Sequence, residues 1–192
     1  MVTMRSLRAT SWLRLVSILL GVQGLFIGAA ASTAMALTLT SPAFRQGAAI
    51  PSRFTCEGDN VSPPLAFEGV PAGANSLALI IDDPDAPDPK APKHVWVHWV
   101  VLNLPADAAG VGENASALGL PAGAIQGIND YKNRGFDGPC PPIGRHRYFH
   151  KLYALDVRLP AKALTKTELE AAMDGHVLAK AEFIGTYQKG NR

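Results

Sequence analysis

The sequence predicts a mainly β protein, an antiparallel two-sheet β-sandwich with one or two short helices near the C-terminus. Two observations carry this prediction. Short apolar runs recur between clusters of proline and glycine, as strands bounded by turns do in sandwiches. The one clear helical passage, residues 165–183, comes near the end of the chain. No repeat, low-complexity tract or linker interrupts residues 37–192, so we expect a single domain there.

Residues 1–36 have the order of a secretory signal peptide. Three arginines are their only charges, an apolar stretch follows, and small residues end in Ala-Met-Ala at positions 34–36. Small residues in this pattern are typical of a signal-peptidase cleavage site. We therefore expect a mature domain of residues 37–192 that is periplasmic or secreted and has no membrane span. A retained anchor is the alternative, since residues 15–31 nearly suffice to span a bilayer.

The charge of the chain argues against a nucleic-acid partner. The leader holds three of the 18 Lys and Arg residues and none of the 16 acids, so the net charge of +2 becomes −1 in the predicted mature chain. Nucleic-acid binding is typical of a clustered basic face. We therefore expect no nucleic-acid partner.

Two cysteines, Cys56 and Cys140, remain after the leader. An exported protein meets an oxidising compartment, so we expect them to pair. On the chain-entropy model a loop of this length makes the disulfide worth about 4–5 kcal/mol. Two free thiols are the alternative, because the sequence gives no distance between them, and neither lies in a recognisable nucleophile motif.

Four apolar runs before the helical passage predict strands at residues 37–41, 76–82, 95–104 and 147–159. The third, VWVHWVVLNL, is apolar on both faces and therefore predicts a central strand that is covered on both sides. Thr165 or Thr167 is suited to cap the helical passage. Asp174-Gly175 predicts a break between two short helices, and a closing strand follows near residues 182–188.

Polar candidates begin where the second predicted strand ends. Strand alternation continues its apolar face into Asp83 and directs Asp82 to the opposite face, away from a shared site. Pro84 and Pro87 restrict the backbone on either side of Asp85. The pattern predicts that the carboxylates of Asp83 and Asp85 are held in a stiff turn, and an ordinary Asp-Pro turn is the alternative.

His98 lies inside the third run. Alternation gives it the same face as Trp96, Val100 and Leu102, and a single histidine on such a face is more often a core residue than a ligand-binding one. His94 precedes the run at its polar start, where we expect it to be exposed.

A second polar cluster starts with the proline-rich loop at residues 138–144. The strand after it puts His146 and Tyr148 on one face and Arg147 on the other. A carboxylate beside an imidazole favours the imidazolium, which donates hydrogen bonds to phosphate or carboxylate groups. The two clusters together therefore suit a pocket for a small anionic or zwitterionic ligand, although a tight turn also explains the loop.

Other chemistries of the same residue types find less support. The histidines and carboxylates lack a close metal-ligand spacing, and no G-x-S-x-G or comparable nucleophile element occurs. We expect no metal, no cofactor and no catalytic residue.

These motifs, in this order and spacing, resemble the phosphatidylethanolamine-binding protein family and specifically its bacterial branch, the Raf kinase inhibitor-like proteins. The resemblance extends over about residues 37–190. The matching segments are F-T-C-E-G at 54–58, S-P-P-L at 62–65, D-P-D-A-P at 83–87, H-W at 98–99, G-P-C-P-P at 138–142 and G-R-H-R-Y at 144–148.

The resemblance implies a sandwich of two antiparallel sheets with a small pocket at one end. The pocket would accept phosphate-like or carboxylate groups, phospholipid head groups among them. Eukaryotic members add a C-terminal helix beyond the matched region, so we expect a more open pocket here and no kinase regulation. The implied lining residues are Asp83, Asp85, His98, His146 and Tyr148, with Pro87 and Pro142 as walls.

The leading expectation is an exported protein that binds a small anionic or phosphate-bearing ligand and is not an enzyme. An alternative is a protein-interaction module, such as a protease inhibitor or secreted effector, that uses the proline-rich loops. An uncharacterised hydrolase is a third hypothesis.

Overall fold

The computed structural model describes residues 35–190. The predicted leader, residues 1–36, lies almost wholly outside this range and stays a prediction. Within it, none of the helices combines the length and the apolar character that a membrane span requires.

The described residues form two antiparallel sheets, which confirms the predicted fold class. The smaller sheet has the order β1 (Thr38–Thr40), β2 (Leu65–Glu68) and β5 (Gly110–Val111). The larger sheet has the order β6 (Ile125–Gln126), β4 (Trp96–Leu104), β3 (Ser76–Asp83), β7 (His146–Leu155) and β8 (Val177–Tyr187). The helices are a 3-10 turn at Ser52–Phe54, α1 (Ala115–Leu118) and α2 (Lys166–Met173).

Two apolar clusters cover the larger sheet, one on each face. The first lies between the sheets and includes Leu39 of β1 and Leu79 of β3. The second lies against α2 and includes Ile80 of β3 and Leu169 of α2. Because β4 contributes to both clusters and all its residues after Trp96 are buried, it is the central, doubly covered strand that its apolar pattern predicts.

The predicted second helix near the C-terminus is wrong. The first begins as expected, with a capping box in which Thr165 and Glu168 bind each other's backbone N–H groups. After Met173 the chain turns at Gly175, whose positive φ favours glycine. Residues 177–187 then form β8, because pairing along β7 outweighs the weak helix preference of this segment.

Cys56 and Cys140 form a disulfide with their Cα atoms 5.4 Å apart. This confirms the expected pairing. The bond joins the segment after the 3-10 turn to the proline-rich loop that precedes β7, although 84 residues separate the two cysteines in sequence.

Candidate functional site

A cavity of about 240 Å³ opens at one end of the larger sheet. Since β3 runs antiparallel to both β4 and β7, the last residue of β3 lies beside the first residues of the other two strands. Loops that follow β3 and precede β4 and β7 complete the wall. The lining residues are Asp83, Ala86, Pro87, His94, Trp96, His98, Tyr131, Cys140, Pro141, Pro142, His146 and Tyr148.

Six of the seven predicted ligand-binding residues line this cavity, and Asp85 does not. The Asp85 carboxylate is buried and engaged by Arg147: Oδ2 accepts from the backbone N–H and from Nε at 2.9 Å, and Oδ1 accepts from Nη2 at 2.7 Å. These hydrogen bonds lower the pKa of Asp85. Asp85 thus fixes the turn after β3 to the start of β7, while Asp83 faces the cavity.

A β-bulge directs His98 into the cavity. Ile81 pairs with Trp99 and Asp82 pairs with Val97, so His98 is the extra residue on β4. Bulges re-aim a side chain in this way next to functional sites. The predicted common face with Val100 and Leu102 is therefore wrong, because those two side chains pack in the cluster under α2.

The hydrogen bonds of His98 fix its tautomer. Nδ1 lies 2.6 Å from the carbonyl oxygen of Asp137, which can only accept, so Nδ1 carries the proton. Burial lowers the pKa of His98, although the Asp137 carbonyl and the Asp83 charge act in the opposite direction. The ring is therefore neutral, and its Nε2 is a hydrogen-bond acceptor with no partner among residues 35–190.

His146 differs from His98 because both of its ring nitrogens face acceptors. Nδ1 lies 2.7 Å from Oδ2 of Asp83, and Nε2 lies 2.9 Å from the carbonyl oxygen of Ile143. With Asp83 ionised, both contacts are hydrogen bonds only if the ring carries two N–H groups. The predicted carboxylate–imidazole contact is thus made by Asp83 and His146, and it leaves His146 no free N–H for a ligand.

His98 Nε2 and Tyr148 Oη, two buried polar atoms at the cavity, have no hydrogen-bond partner in the described part of the chain. Burial raises the pKa of Tyr148, and the Asp83 charge raises it further, so the group is a neutral hydroxyl. An unsatisfied buried polar group costs about 1–3 kcal/mol. The cavity therefore presents one uncompensated hydroxyl and one uncompensated acceptor nitrogen.

Close contacts hold the proline-rich wall in place. A Cβ atom at position 138 would lie 2.4 Å from the carbonyl oxygen of Phe54, so only glycine fits there. The Gly138 N–H donates to Oδ1 of Asn60 at 2.8 Å, and the Cys56 N–H donates to the Pro139 carbonyl at 3.1 Å. With the adjacent disulfide, these contacts fix the wall formed by residues 140–142.

Several lining residues were not predicted from the sequence. Tyr131 comes from a polar loop in which nothing marks it, and its ring packs edge-on against Trp96 with the centroids 5.3 Å apart. For Trp96, the sequence indicated only an apolar residue of a strand. His94 is exposed, as expected, and also lies at the cavity mouth.

Comparison with known proteins agrees with the fold and the motifs. Residues 40–188 match the family model described as phosphatidylethanolamine-binding protein. The chain belongs to the phosphatidylethanolamine-binding protein family. This confirms the family resemblance of the sequence motifs.

Relatives in the family come from both archaea and bacteria. The UPF0098 protein of Methanothermobacter thermautotrophicus is 50% identical over 80% of this chain and 100% of its own length. The crystal structure of a family homologue from Chlamydia trachomatis is 44% identical, with a TM-score of 0.74 over 81% of this chain and 99% of that one. Escherichia coli YbcL, described as a new member of the mammalian family, is 32% identical, with a TM-score of 0.74 over 81% and 100%.

Proposed function

We propose that this family member is an exported binding protein whose cavity takes the anionic group of a small ligand. Phosphate and carboxylate groups are the candidates, and a phospholipid head group is one source of phosphate. The observation that carries the proposal is the pair of unpaired polar atoms, His98 Nε2 and Tyr148 Oη. An oxyanion would accept from the Tyr148 hydroxyl, and one that carries a proton would also donate to His98 Nε2, so that binding recovers free energy that the burial of these atoms costs.

The size of the cavity supports a small ligand. Its volume of about 240 Å³ lies just below the roughly 300–1,000 Å³ that is typical of drug-sized sites. It accommodates a head group and leaves no room for acyl chains. A lipid would therefore bind with its chains outside the cavity mouth.

Two features support export. The leader has the three parts of a signal peptide, and the disulfide is typical of oxidising compartments. The mass of the protein purified from periplasm or medium tests this step. A chain that starts at Leu37 is expected, and a chain that retains residues 1–36 in the cytoplasm would contradict export.

The cavity lining favours binding over catalysis. Its only sulfur belongs to the oxidised Cys140, and no serine or threonine is among the residues that line it. A nucleophile beside an acceptor nitrogen such as His98 Nε2 would be needed for acyl or phosphoryl transfer through a covalent intermediate. We therefore propose a ligand-binding role without a chemical step.

Titration with inorganic phosphate tests the proposal. Saturable changes are expected in the NMR signals of the His98 and Tyr148 rings, whereas the rings of His176 and Tyr153, which lie outside the cavity, serve as internal controls. If neither cavity ring responds to phosphate or acetate, the cavity is not an anion site.

An interaction module remains a second candidate because apolar side chains are exposed beside the cavity mouth. Val95 and Ile143, neighbours of lining residues, are 42% and 56% exposed. Exposed apolar groups beside a cavity are typical of interaction sites. If a protein partner uses this face, a Val95→Ser/Ile143→Ser variant will lose partner binding and retain phosphate binding. A variant that still binds the partner would exclude this face.

A further inference from the structure

The unpaired nitrogen of His98 is an acceptor in a cavity proposed to bind an anion, and most oxyanions offer only acceptors. From this mismatch we infer that the cavity selects oxyanions that carry a proton, namely phosphate monoesters and free phosphate, over sulfate and phosphate diesters. The inference rests on the proposed anion-binding function and names its ligand class.

The geometry around His98 leaves one arrangement for a ligand. The Asp137 carbonyl takes the proton of Nδ1, so the neutral ring can offer only a lone pair at Nε2. Tyr148 presents its hydroxyl from β7, which β3 separates from β4, with the ring centroids of His98 and Tyr148 5.2 Å apart. A fitting group therefore donates to His98 and accepts from Tyr148 at the same time.

Without a ligand, burial opposes a second proton on the His98 ring, whereas the nearby carboxylates favour the cation. Each carboxylate that faces it is already neutralised or hydrogen-bonded: Asp83 by His146, Asp137 by two asparagine side chains, and Asp82, on the far face of β3, by two lysines. The other titratable groups that interact with it are Tyr131, Tyr148 and His150, and His146 lines the same cavity.

The cavity also lacks the cations that a doubly charged anion requires. No lysine or arginine is among its lining residues, and the charge of Asp83 cancels that of the His146 imidazolium. The lining is therefore nearly neutral, and a dianion would lose its hydration without an opposite charge in return. A monoanion is favoured on this ground as well.

Phosphate monoesters meet both conditions in mildly acidic solution. Their second pKa is about 6, so about half of the molecules at pH 6, and about a tenth at pH 7, carry one P–OH group that can donate to His98 Nε2. The remaining oxygens accept from the Tyr148 hydroxyl. Sulfate and phosphate diesters have the same shape around the central atom but no proton, so an oxygen lone pair would face the lone pair of Nε2. Sites with a buried unpaired group reject such analogues strongly.

Calorimetric titration of the purified protein at pH 6 tests the inference with four probes: inorganic phosphate, methyl phosphate, sulfate and dimethyl phosphate. The first two are expected to bind at least about tenfold more tightly than the last two. Equal affinity for phosphate and sulfate would overturn the inference and leave the proposed function intact. Binding of none of the four would overturn both.

A His98→Gln variant places an amide N–H donor near the position of Nε2. It is expected to lose the preference for phosphate over sulfate, whereas the control His176→Gln, at an exposed histidine near the other end of β7, keeps it. A preference that survives in a folded His98→Gln protein would overturn the assignment to His98.

The NMR signal of His98 Nε2 in the parent protein gives a measurement that needs no variant. It should show an unprotonated nitrogen at pH 7 without ligand and a hydrogen-bonded one with phosphate. A protonated Nε2 in the free protein would overturn the inference.

Short-chain phosphatidate, a lipid monoester, identifies a lipid source if it binds more tightly than methyl phosphate, and a small-molecule source if it does not.

Discussion

The hydroxyl of Tyr148 lies in the interior of the protein without a partner among the described residues. Tyr148→Phe should therefore leave the free energy of unfolding unchanged or raise it by about 1 kcal/mol, while phosphate affinity falls about tenfold because a hydrogen bond to the anion is lost. Urea denaturation and calorimetric titration measure the two effects. Tyr153→Phe, on the same strand outside the cavity, is the matched control, and undiminished affinity in Tyr148→Phe would remove Tyr148 from the site.

Asp85 illustrates the opposite case, a predicted ligand residue whose oxygens are already used. Asp85→Asn should lower the free energy of unfolding by about 1–3 kcal/mol at neutral pH, because it weakens the charge-assisted bonds to Arg147. Phosphate affinity should change far less than in Tyr148→Phe. A large loss of affinity with unchanged stability would instead return Asp85 to the binding site.

The Asp85 contribution also has a defined pH window. Its folded-state pKa is lowered below the ordinary 3.8 by the Arg147 hydrogen bond. The stability it provides is thus complete above that ordinary value and is lost as the pH falls through the lower folded pKa. The difference between the parent and Asp85→Asn should disappear in strong acid, and a difference that persists there would mean that it does not come from the carboxylate charge.

His150 should make the protein sensitive to milder acid. Burial lowers the pKa of His150 from 6.5 to about 4, so between these values the unfolded chain binds a proton that the folded protein does not. Stability should therefore fall by about 3 kcal/mol as the pH drops from 6.5 to 4. In His150→Phe, whose ring would pack beside Phe44 and Phe183, the fall should be smaller by this amount. Urea denaturation at several pH values measures it; identical slopes would rule out His150 as the source.

At the scale of the element, β3 separates two adjacent carboxylates by strand alternation alone. Asp83 faces the cavity, and Asp82 faces α2, where Lys151 and Lys166 bind it at 2.7 and 2.8 Å. The sequence predicted this division because the side chains of successive strand residues point to opposite faces of a sheet, and the apolar run continues directly into both aspartates. The lysine partners were not predictable, since they come from β7 and α2, far along the chain.

Asp82→Asn should therefore destabilise the protein without affecting the cavity. Two lysines, 17–18% exposed, lose their counter-charge, and we expect a loss of about 2–3 kcal/mol, below the range for fully buried pairs because water reaches both ammonium groups. Denaturation gives the stability and titration gives the phosphate affinity, which should equal that of the parent. Reduced affinity in a folded Asp82→Asn protein would show that the two faces of β3 are coupled.

The elements that escaped prediction share a physical cause. β2, β5, β6 and α1 have only two to four residues, too few for a hydrophobic period to appear. The first half of β8, residues 177–181, lies in a segment of helix-forming residues and is determined by its pairing with β7, whereas the second half matches the closing strand predicted near residues 182–188. The bulge at His98 likewise arises from the register between strands, which a single strand's sequence does not contain.

At the scale of the whole molecule, antiparallel topology assembles the site from distant segments. The motifs around residues 83–87, 98 and 146–148 could be predicted as a common site through their family resemblance. They meet because β3 ends, and β4 and β7 begin, at the same edge of one sheet. Tyr131 and Trp96 could not, since neither lies in a matching motif. Their contribution depends on how the loop after β6 folds over the start of β4, where the Asp130 carboxylate accepts from the Val97 N–H at 2.8 Å.

The disulfide links the stability of the whole molecule to its ligand site. Cys140 lines the cavity, and its bond to Cys56 closes a loop across 84 residues, which on the chain-entropy model stabilises the folded state by about 4–5 kcal/mol. The double variant Cys56→Ser/Cys140→Ser should lose stability of this order. It should also bind phosphate more weakly, because the wall of Pro141 and Pro142 loses its covalent anchor.

A reducing agent separates the bond from the side chains that form it. Reduction should lower the unfolding midpoint and the phosphate affinity of the parent to those of the double variant and leave the variant itself unchanged. The remaining contacts of the wall, from Gly138 to Asn60 and from Cys56 to Pro139, hold in both proteins. If reduction lowers stability but not affinity, those two hydrogen bonds suffice to position the wall, and the disulfide stabilises the fold alone.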